Sequence, residues 1–486
     1  MSEIKRFQEG KSSELDNSDN SVLNQFSSQF LRGMSERMRE TYSEAELDEF
    51  IKERFSFFQE AVRRSGMVRV KSYKFSSDSQ EETRFNGRVI VEISAPDAPY
   101  IVVTVEALMR KLDLRIHLKL HPIMGVVLSA KKEIEKVISA EEKLEMFDYI
   151  YLEIEADVDI AFLKHVESLI AGHMLAVQLV RNHRQNMLRR LESMEKEIDS
   201  VSVISADTKG EWSKLCGWLK LDNFTVMGSI TFVLKDSDSA DYIKTLENSG
   251  QGILTPEFLL NSSNNLMNVL IEHLWKRRRS EFPFALDRIR FHSPVLRFEN
   301  LMMLSLRVPD EKLGMVEHVF LGLLRGSSLH VKNIETPLIH QKMRYIFENR
   351  NMLENSYDYN EVVRIFSATP KFDLFSSSRK ELIQVCDSIL SVNNPNNIHC
   401  FQINTRVYGI LKLMIVMPAS LLTEVAIEQT AAFLKAKISH QHCEWFEARG
   451  SEKSRLHFEF ELQDEPQDKS DLPSFDLLQL ARILRS

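Results

Sequence analysis

Two hydrophobic periods alternate along this chain, one of helical spacing and one of two, and their order predicts an α+β protein built from repeated units. Residues 1–20 are polar and rich in Ser and Asp, which predicts a disordered tail. Over 21–66 apolar positions fall at helical spacing, Phe26, Phe30 and Met34 and then Phe50, Ile51, Phe55 and Phe58, so this segment reads as helical, broken near Thr41-Tyr-Ser. Arg88-Val-Ile-Val-Glu-Ile-Ser94 switches to alternation and reads as a strand. A helix opened by Asp97-Ala-Pro-Tyr100 runs to Lys111, and strands follow at 114–121 and 125–128. Residues 147–155 alternate strictly, as a half-buried strand does, and a long helix covers 160–198. The order β-α-β-β, a further strand and a helix predicts a first ferredoxin-like domain over 67–199.

The pattern then loosens. Residues 200–210 read as a polar linker, 211–220 as a short helix and 224–234 as a strand pair or hairpin. With helix-like spacing at 262–274, the stretch 211–274 is expected to be a helix-and-hairpin linker region. Strands at 289–292, 301–308 and 315–324, with helices at 336–349 and 379–390, predict a second domain over 285–391. Strands at 399–404 and 410–417, a helix at 422–438 and strands at 442–447 and 455–462 predict a third over 398–462. Residues 463–486 form an acidic linker and a terminal amphipathic helix. Three related β-α-β-β units linked by helices are the architecture so predicted.

Composition narrows the function. At 43% hydrophobic and 27% charged residues, 486 residues hold enough apolar material for three or four ordinary globular domains. A net charge of −8 gives no general attraction to nucleic acid or to an anionic membrane. The N-terminus lacks the apolar stretch of a signal peptide, and the most apolar run, residues 410–418, is short and contains Lys412. Cys216, Cys386, Cys400 and Cys443 are scattered without a C-x-x-C pair, as expected of reduced thiols in the cytoplasm. A cytoplasmic protein with no membrane and no nucleic-acid partner is the expectation.

No residue set reads as catalytic, cofactor-binding or metal-ligating. His165, His173 and His183 share one predicted helix but are not spaced i, i+4, and His440 and His442 beside Cys443 have no second ligand cluster. Gly250-Gln-Gly252 is the only G-x-G, and no strand feeds it as a dinucleotide fold requires, so it reads as a turn. Trp275-Lys-Arg-Arg-Arg279 is either a solvated helix end or a site for an anion or acidic partner. The pairs Glu133/Glu135 and Glu195/Glu197 read as exposed faces. The strand-to-helix turn at 95–100 is the best candidate ligand site, through Asp97, Ala98 and Tyr100, because free helix N–H groups can receive a carboxylate. The alternative is that Asp97 caps its own helix.

Several segments, in order, carry a family resemblance. Asp97-Ala-Pro-Tyr-Ile-Val-Val-Thr-Val105, His121-Pro122, Cys216-Gly-Trp-Leu219 with Asn223-Phe-Thr-Val-Met-Gly228, and Gly250-Gln-Gly-Ile-Leu254 resemble the N-terminal portion of the large bacterial NAD-dependent glutamate dehydrogenases. So do His318-Val-Phe-Leu-Gly-Leu323, Pro337 with Ile339 and Lys342, Pro370-Lys-Phe-Asp-Leu-Phe375 and Met417-Pro418. The chain departs from the family pattern at Val103, at Cys216-Gly217 and at Ala419, where charged residues are lost. The resemblance implies three ACT-type domains and no catalytic residue, the dehydrogenase core belonging to a following region. It therefore implies a non-catalytic module that senses a small amino acid and assembles with itself through sheet edges. The alternative it leaves is one piece of a split dehydrogenase, active with a separate catalytic chain and using NAD only there.

Overall fold

The computed structural model describes residues 17–40, 42–73, 88–139, 144–155, 160–235, 242–261, 265–278, 282–326, 328, 332–390, 398–403, 410–450 and 453–462. The expected terminal helix and most of the expected N-terminal tail lie outside them, although a helix already begins at Asn17. Mixed helix and antiparallel sheet make this an α+β protein. It divides into two compact units, residues 1–182 with 260–262 and 293–298, and the remainder.

In the first unit, helices α1 (Asn17–Leu31), the short α2 (Glu36–Arg39) and α3 (Glu44–Arg64) precede the sheet. Ser43 caps α3 reciprocally with Glu46, and Ser65 ends it in the left-handed region. The sheet comprises β1 (Met67–Tyr73), β2 (Arg88–Pro96), β3 (Arg115–Leu120), β4 (Ile123–Leu128), β5 (Ile134–Ser139) and β6 (Glu145–Glu155). Helix α4 (Ile101–Lys111) crosses from β2 to β3, and α5 (Ile160–Glu197) follows β6. The order β1-β2-β6, with β3 on the far half of β6, places the crossover product beside the third strand, and β4–β5 is an inserted hairpin. Phe147, Tyr149 and Tyr151 of β6 join Phe26, Phe30, Phe50, Phe57 and Phe58 in an aromatic core under α1 and α3. Ile150, Leu152 and Ile154 point to the opposite face and are buried too. The expected half-buried strand is thus buried on both faces, since helices precede the sheet as well as crossing it.

The second unit holds two sheets. Helix α6 (Ala206–Trp218), capped by Ser205, begins inside the expected polar linker and leads into β7 (Phe224–Leu234). Strand β7 is one continuous strand and not a hairpin. It pairs along its length with β12 (Gly314–Leu324) and on its other edge with β8 (Ile243–Thr245) and β9 (Gln251–Gly252). Helices α7 (Pro256–Asn261) and α8 (Leu266–Lys276) precede β10 (Phe284–His292) and β11 (Asn300–Asp310), and the sheet order is β10-β11-β12-β7-β8. The stretch expected as a linker therefore supplies an inner strand. Strands β10, β11 and β12 form a plain meander, so this sheet lacks the β-α-β-β crossing expected of a second repeat. Its would-be helices, α9 (Ile339–Asn349), α10 (Tyr357–Ala368), α11 (Lys371–Ser376) and α12 (Arg379–Leu390), pack with one another instead.

The third sheet, β13 (His399–Ile403), β14 (Ile410–Pro418), β15 (His440–Ala448) and β16 (Lys453–Leu462), has the order β13-β14-β16-β15, with α13 (Glu424–Lys437) crossing from β14 to β15. That order repeats the β1-β2-β6-β3 order of the first sheet. Leu411, Leu413, Ile415 and Met417 of β14 with Leu456, Phe458, Phe460 and Leu462 of β16 form the core under α13. The intervening residues face α10–α12 and β10.

Candidate functional site

Strand β2 ends at Pro96 and the chain turns through Asp97, Ala98 and Pro99 before α4. Asp97 does not cap that helix. The N-cap is Tyr100, held at φ 80°, and no side chain accepts from the first turn. Asp97 instead donates its backbone N–H to the Met146 carbonyl of β6 at 2.8 Å. Gln178 of α5 secures the same turn by donating to the Pro96 carbonyl at 2.8 Å.

The Asp97 carboxyl lies beside that of Asp148 on β6. Asp148 is 2% exposed, approaches His121 Nε2 at 2.7 Å through Oδ1, and accepts the Ala98 N–H at 3.4 Å through Oδ2. Two carboxyls this close resist ionising together. Burial first, and then the charge of Asp148, raise the Asp97 pKa above the usual carboxylate range, while the guanidinium of Arg181 and His121 pull the other way. The site is therefore a pair of neighbouring carboxyls, with the His121 imidazole on Asp148 and the exposed guanidinium of Arg181 beside them. Of the expected residues, Asp97 and Ala98 meet in this cluster and Tyr100 supplies the strained turn. His121, Asp148 and Arg181 were missed as members. The available signal was Asp148 itself, a carboxylate on the same face of β6 as Ile150, Leu152 and Ile154.

The other candidates resolve into structure. His173 bonds the Pro294 carbonyl at 2.7 Å, His183 accepts from the Gly252 N–H at 3.2 Å, and His440 bonds the Ile438 carbonyl at 2.6 Å. Among the described residues no group of three or more His, Cys, Asp or Glu is arranged to hold a metal ion. Gly252 is a turn at φ 61°, where a Cβ would stand 2.0 Å from the Met227 carbonyl oxygen. The basic run is not a free patch: Arg277 is buried against Glu317, and Arg278 stacks on Trp275.

Carboxylates that the sequence presents as ordinary strand positions anchor all three sheets. Glu92 on β2 is fully buried and accepts from Arg69 Nε at 2.7 Å and from the Tyr149 hydroxyl at 2.8 Å, with Arg54 of α3 at 3.7 Å. Glu317 on β12 accepts from Arg277, Arg307 and Ser305. Glu459 on β16 pairs with Arg288 of β10 at 2.6 Å and Lys412 of β14 at 3.1 Å, and Lys412 also pairs with Asp373 of α11. Lys342 of α9 donates to the carbonyls of Leu374, Phe375 and Ser377, which ties α9 to the end of α11. Between α10–α12 and the third sheet lies a cavity of about 50 Å³, bordered by Lys412, His457, Val385, Cys386 and Phe446.

Two family models match the chain: the ACT1 domain of glutamate dehydrogenase over residues 26–169, and helical motif 1 of glutamate dehydrogenase over residues 336–394. The first covers the first sheet and its acid pair, the second the α9–α12 group. The NAD-specific glutamate dehydrogenase of Halomonas elongata is 18% identical over 353 residues, 71% of this chain and 22% of that protein. That of Pseudomonas aeruginosa is 21% identical over 318 residues, 64% of this chain and 19% of that protein. The chain thus spans about a fifth of the length of these relatives.

Proposed function

We propose that this chain, a member of the NAD-specific glutamate dehydrogenase family related to its N-terminal region, is a non-catalytic regulatory and assembly module that binds a small amino acid at the Asp97–Asp148 turn. The observation that carries this reading is the acid pair with Arg181 beside it. The ammonium of an amino acid can lie against the two carboxyls, and its carboxylate can meet the Arg181 guanidinium. Among the described residues β13 and β15 pair on one side only, and their outer edges are the surfaces on which a second copy would add its own strand. Thermal unfolding in millimolar amino acids tests the ligand. A selective amino acid raises Tm in the parent chain and not in Asp148→Asn or Arg181→Gln. If no amino acid moves Tm, or the variants respond as the parent does, the sensing role is wrong.

A second reading, a subunit working with a separate catalytic polypeptide that oxidises glutamate with NAD, draws support from the greater length of relatives named for that activity, of which the matched region covers only 22% and 19%. It predicts co-purification of a second chain and glutamate-dependent NADH production by the pair. The purified chain alone produces none under either reading.

A further inference from the structure

The cavity between α10–α12 and the third sheet has a function separate from the acid-pair turn. Its walls are largely apolar, with Leu374, Leu382, Val385, Ile403 and Phe446 among them. At about 50 Å³ it exceeds the roughly 10–15 Å³ that one water needs, so it admits several waters or one guest of a few heavy atoms.

One polar side chain in it has no match. His457 is 8% exposed, its ring stacks on Phe446 at 4.3 Å, and among the described residues neither ring nitrogen has a hydrogen-bond partner. An imidazole that lines a cavity without a protein partner leaves its polar atoms for a guest. Burial, with the charges of Arg455 and Lys412, holds this ring neutral, with its pKa lowered to about 3. A neutral imidazole offers one donor and one acceptor.

The charged side chains that line the cavity are already matched. Lys412 is held by Asp373 and Glu459, Glu459 is also held by Arg288, and Glu381 is held at the start of α12 by the Ser378 N–H at 2.5 Å. An anion or a cation entering here would have to break one of these pairs. A neutral guest would not.

We propose that this cavity is a binding site for a small uncharged molecule bearing both a hydrogen-bond donor and an acceptor, a primary carboxamide being the simplest, with His457 as its polar contact. Occupancy would fasten the α10–α12 group to the third sheet.

Three probes of one size and different charge test this on the full chain: propionamide, propionate and propylammonium, compared by saturation-transfer NMR. Transfer is expected to propionamide alone. His457→Phe keeps an aromatic ring against Phe446 while removing both nitrogens, and Val385→Phe fills the cavity. Each is expected to abolish the transfer while the far-ultraviolet circular dichroism stays that of the parent. Should His457→Phe fail to fold, Val385→Phe carries the test alone. Equal transfer to all three probes, transfer to an ion in preference, transfer to none, or transfer surviving in a folded variant would each overturn the assignment.

Discussion

Glu317 gives the sharpest test of how the second sheet is held together. Its carboxylate is completely buried, and four donors reach it: Arg277 Nη1 at 2.8 Å, Ser305 Oγ at 2.7 Å, and Arg307 Nε and Nη2 at 3.2 and 2.9 Å. Both guanidinium side chains are only 11% exposed, so water cannot replace the lost acceptor. Glu317→Ala strands two buried cations and should cost about 3–5 kcal/mol, a large share of the ~5–15 kcal/mol that holds a domain together. Arg307→Ala in the same background removes one stranded charge. The double variant should therefore be more stable than the two single losses predict, by roughly 2 kcal/mol. Arg277 keeps its carbonyl partners at Phe282 and Phe284 throughout. Urea unfolding followed by tryptophan fluorescence reads the effect locally, since Trp212 stacks on Phe284 of β10 at 4.3 Å. A Glu317→Ala cost below about 1 kcal/mol would refute the assignment of Glu317 as an anchor. So would losses that add to within about 0.5 kcal/mol.

Three further outcomes follow from the same reasoning. His457 binds its proton near pH 3 when folded and near 6.5 when unfolded, so the unfolded state takes up the proton first and stability falls as pH drops from 6.5 toward 3. His457→Phe should abolish that slope, narrowing the loss between pH 7 and pH 4 by about 3 kcal/mol in urea titrations; identical slopes in parent and variant would show that the ring is solvated. Asp97 has the opposite sign: its pKa is raised, so folding loses stability as pH climbs above the ordinary carboxylate range through the folded value. Asp97→Asn should flatten that decline and raise Tm at neutral pH, whereas a lower Tm would mean that the ionised pair holds the turn. Gly252→Ala places a methyl on the Met227 carbonyl at φ 61° and should cost at least about 2 kcal/mol, with a thermal melt within a degree or so of the parent as the contrary result.

The helical and strand periods located most of the longer elements, though not β1 or β5, because burial on one face writes itself directly into the order of residues. They misjudged two strands. Residues 147–155 alternate Phe, Asp, Tyr, Ile, Tyr, Leu, Glu, Ile, Glu, and an aromatic-and-aliphatic alternation looks one-sided when the opposite face is also covered. Phe224–Leu234 read as a strand pair or hairpin, whereas it is one strand in which Gly228 makes room for Ile253 and Leu254 where β9 approaches. The pairing of β7 with β12 across about ninety residues is a long-range fact that no local period contains.

The carboxylates were hidden for a different reason, and they change how the chain should be understood. Glu92, Glu317 and Glu459 each sit in a strand among apolar neighbours, which a sequence reader takes for the solvent side of an alternation. In each case a cation from another element makes the burial possible: Arg54 from α3, Arg277 from the end of α8, and Arg288 from β10. The outer faces of these sheets are therefore not free surfaces kept polar for water, but docking faces matched by charge. An uncompensated buried charge is costly, so each cation fixes which element covers its sheet and in what register. Asp148 differs, because besides the His121 imidazole its carboxylate has a second carboxyl, that of Asp97, as a neighbour. Where the other three acids have a structural cation in contact, this one has a neighbouring carboxyl and the exposed guanidinium of Arg181, and that difference is the ground on which a ligand is proposed there.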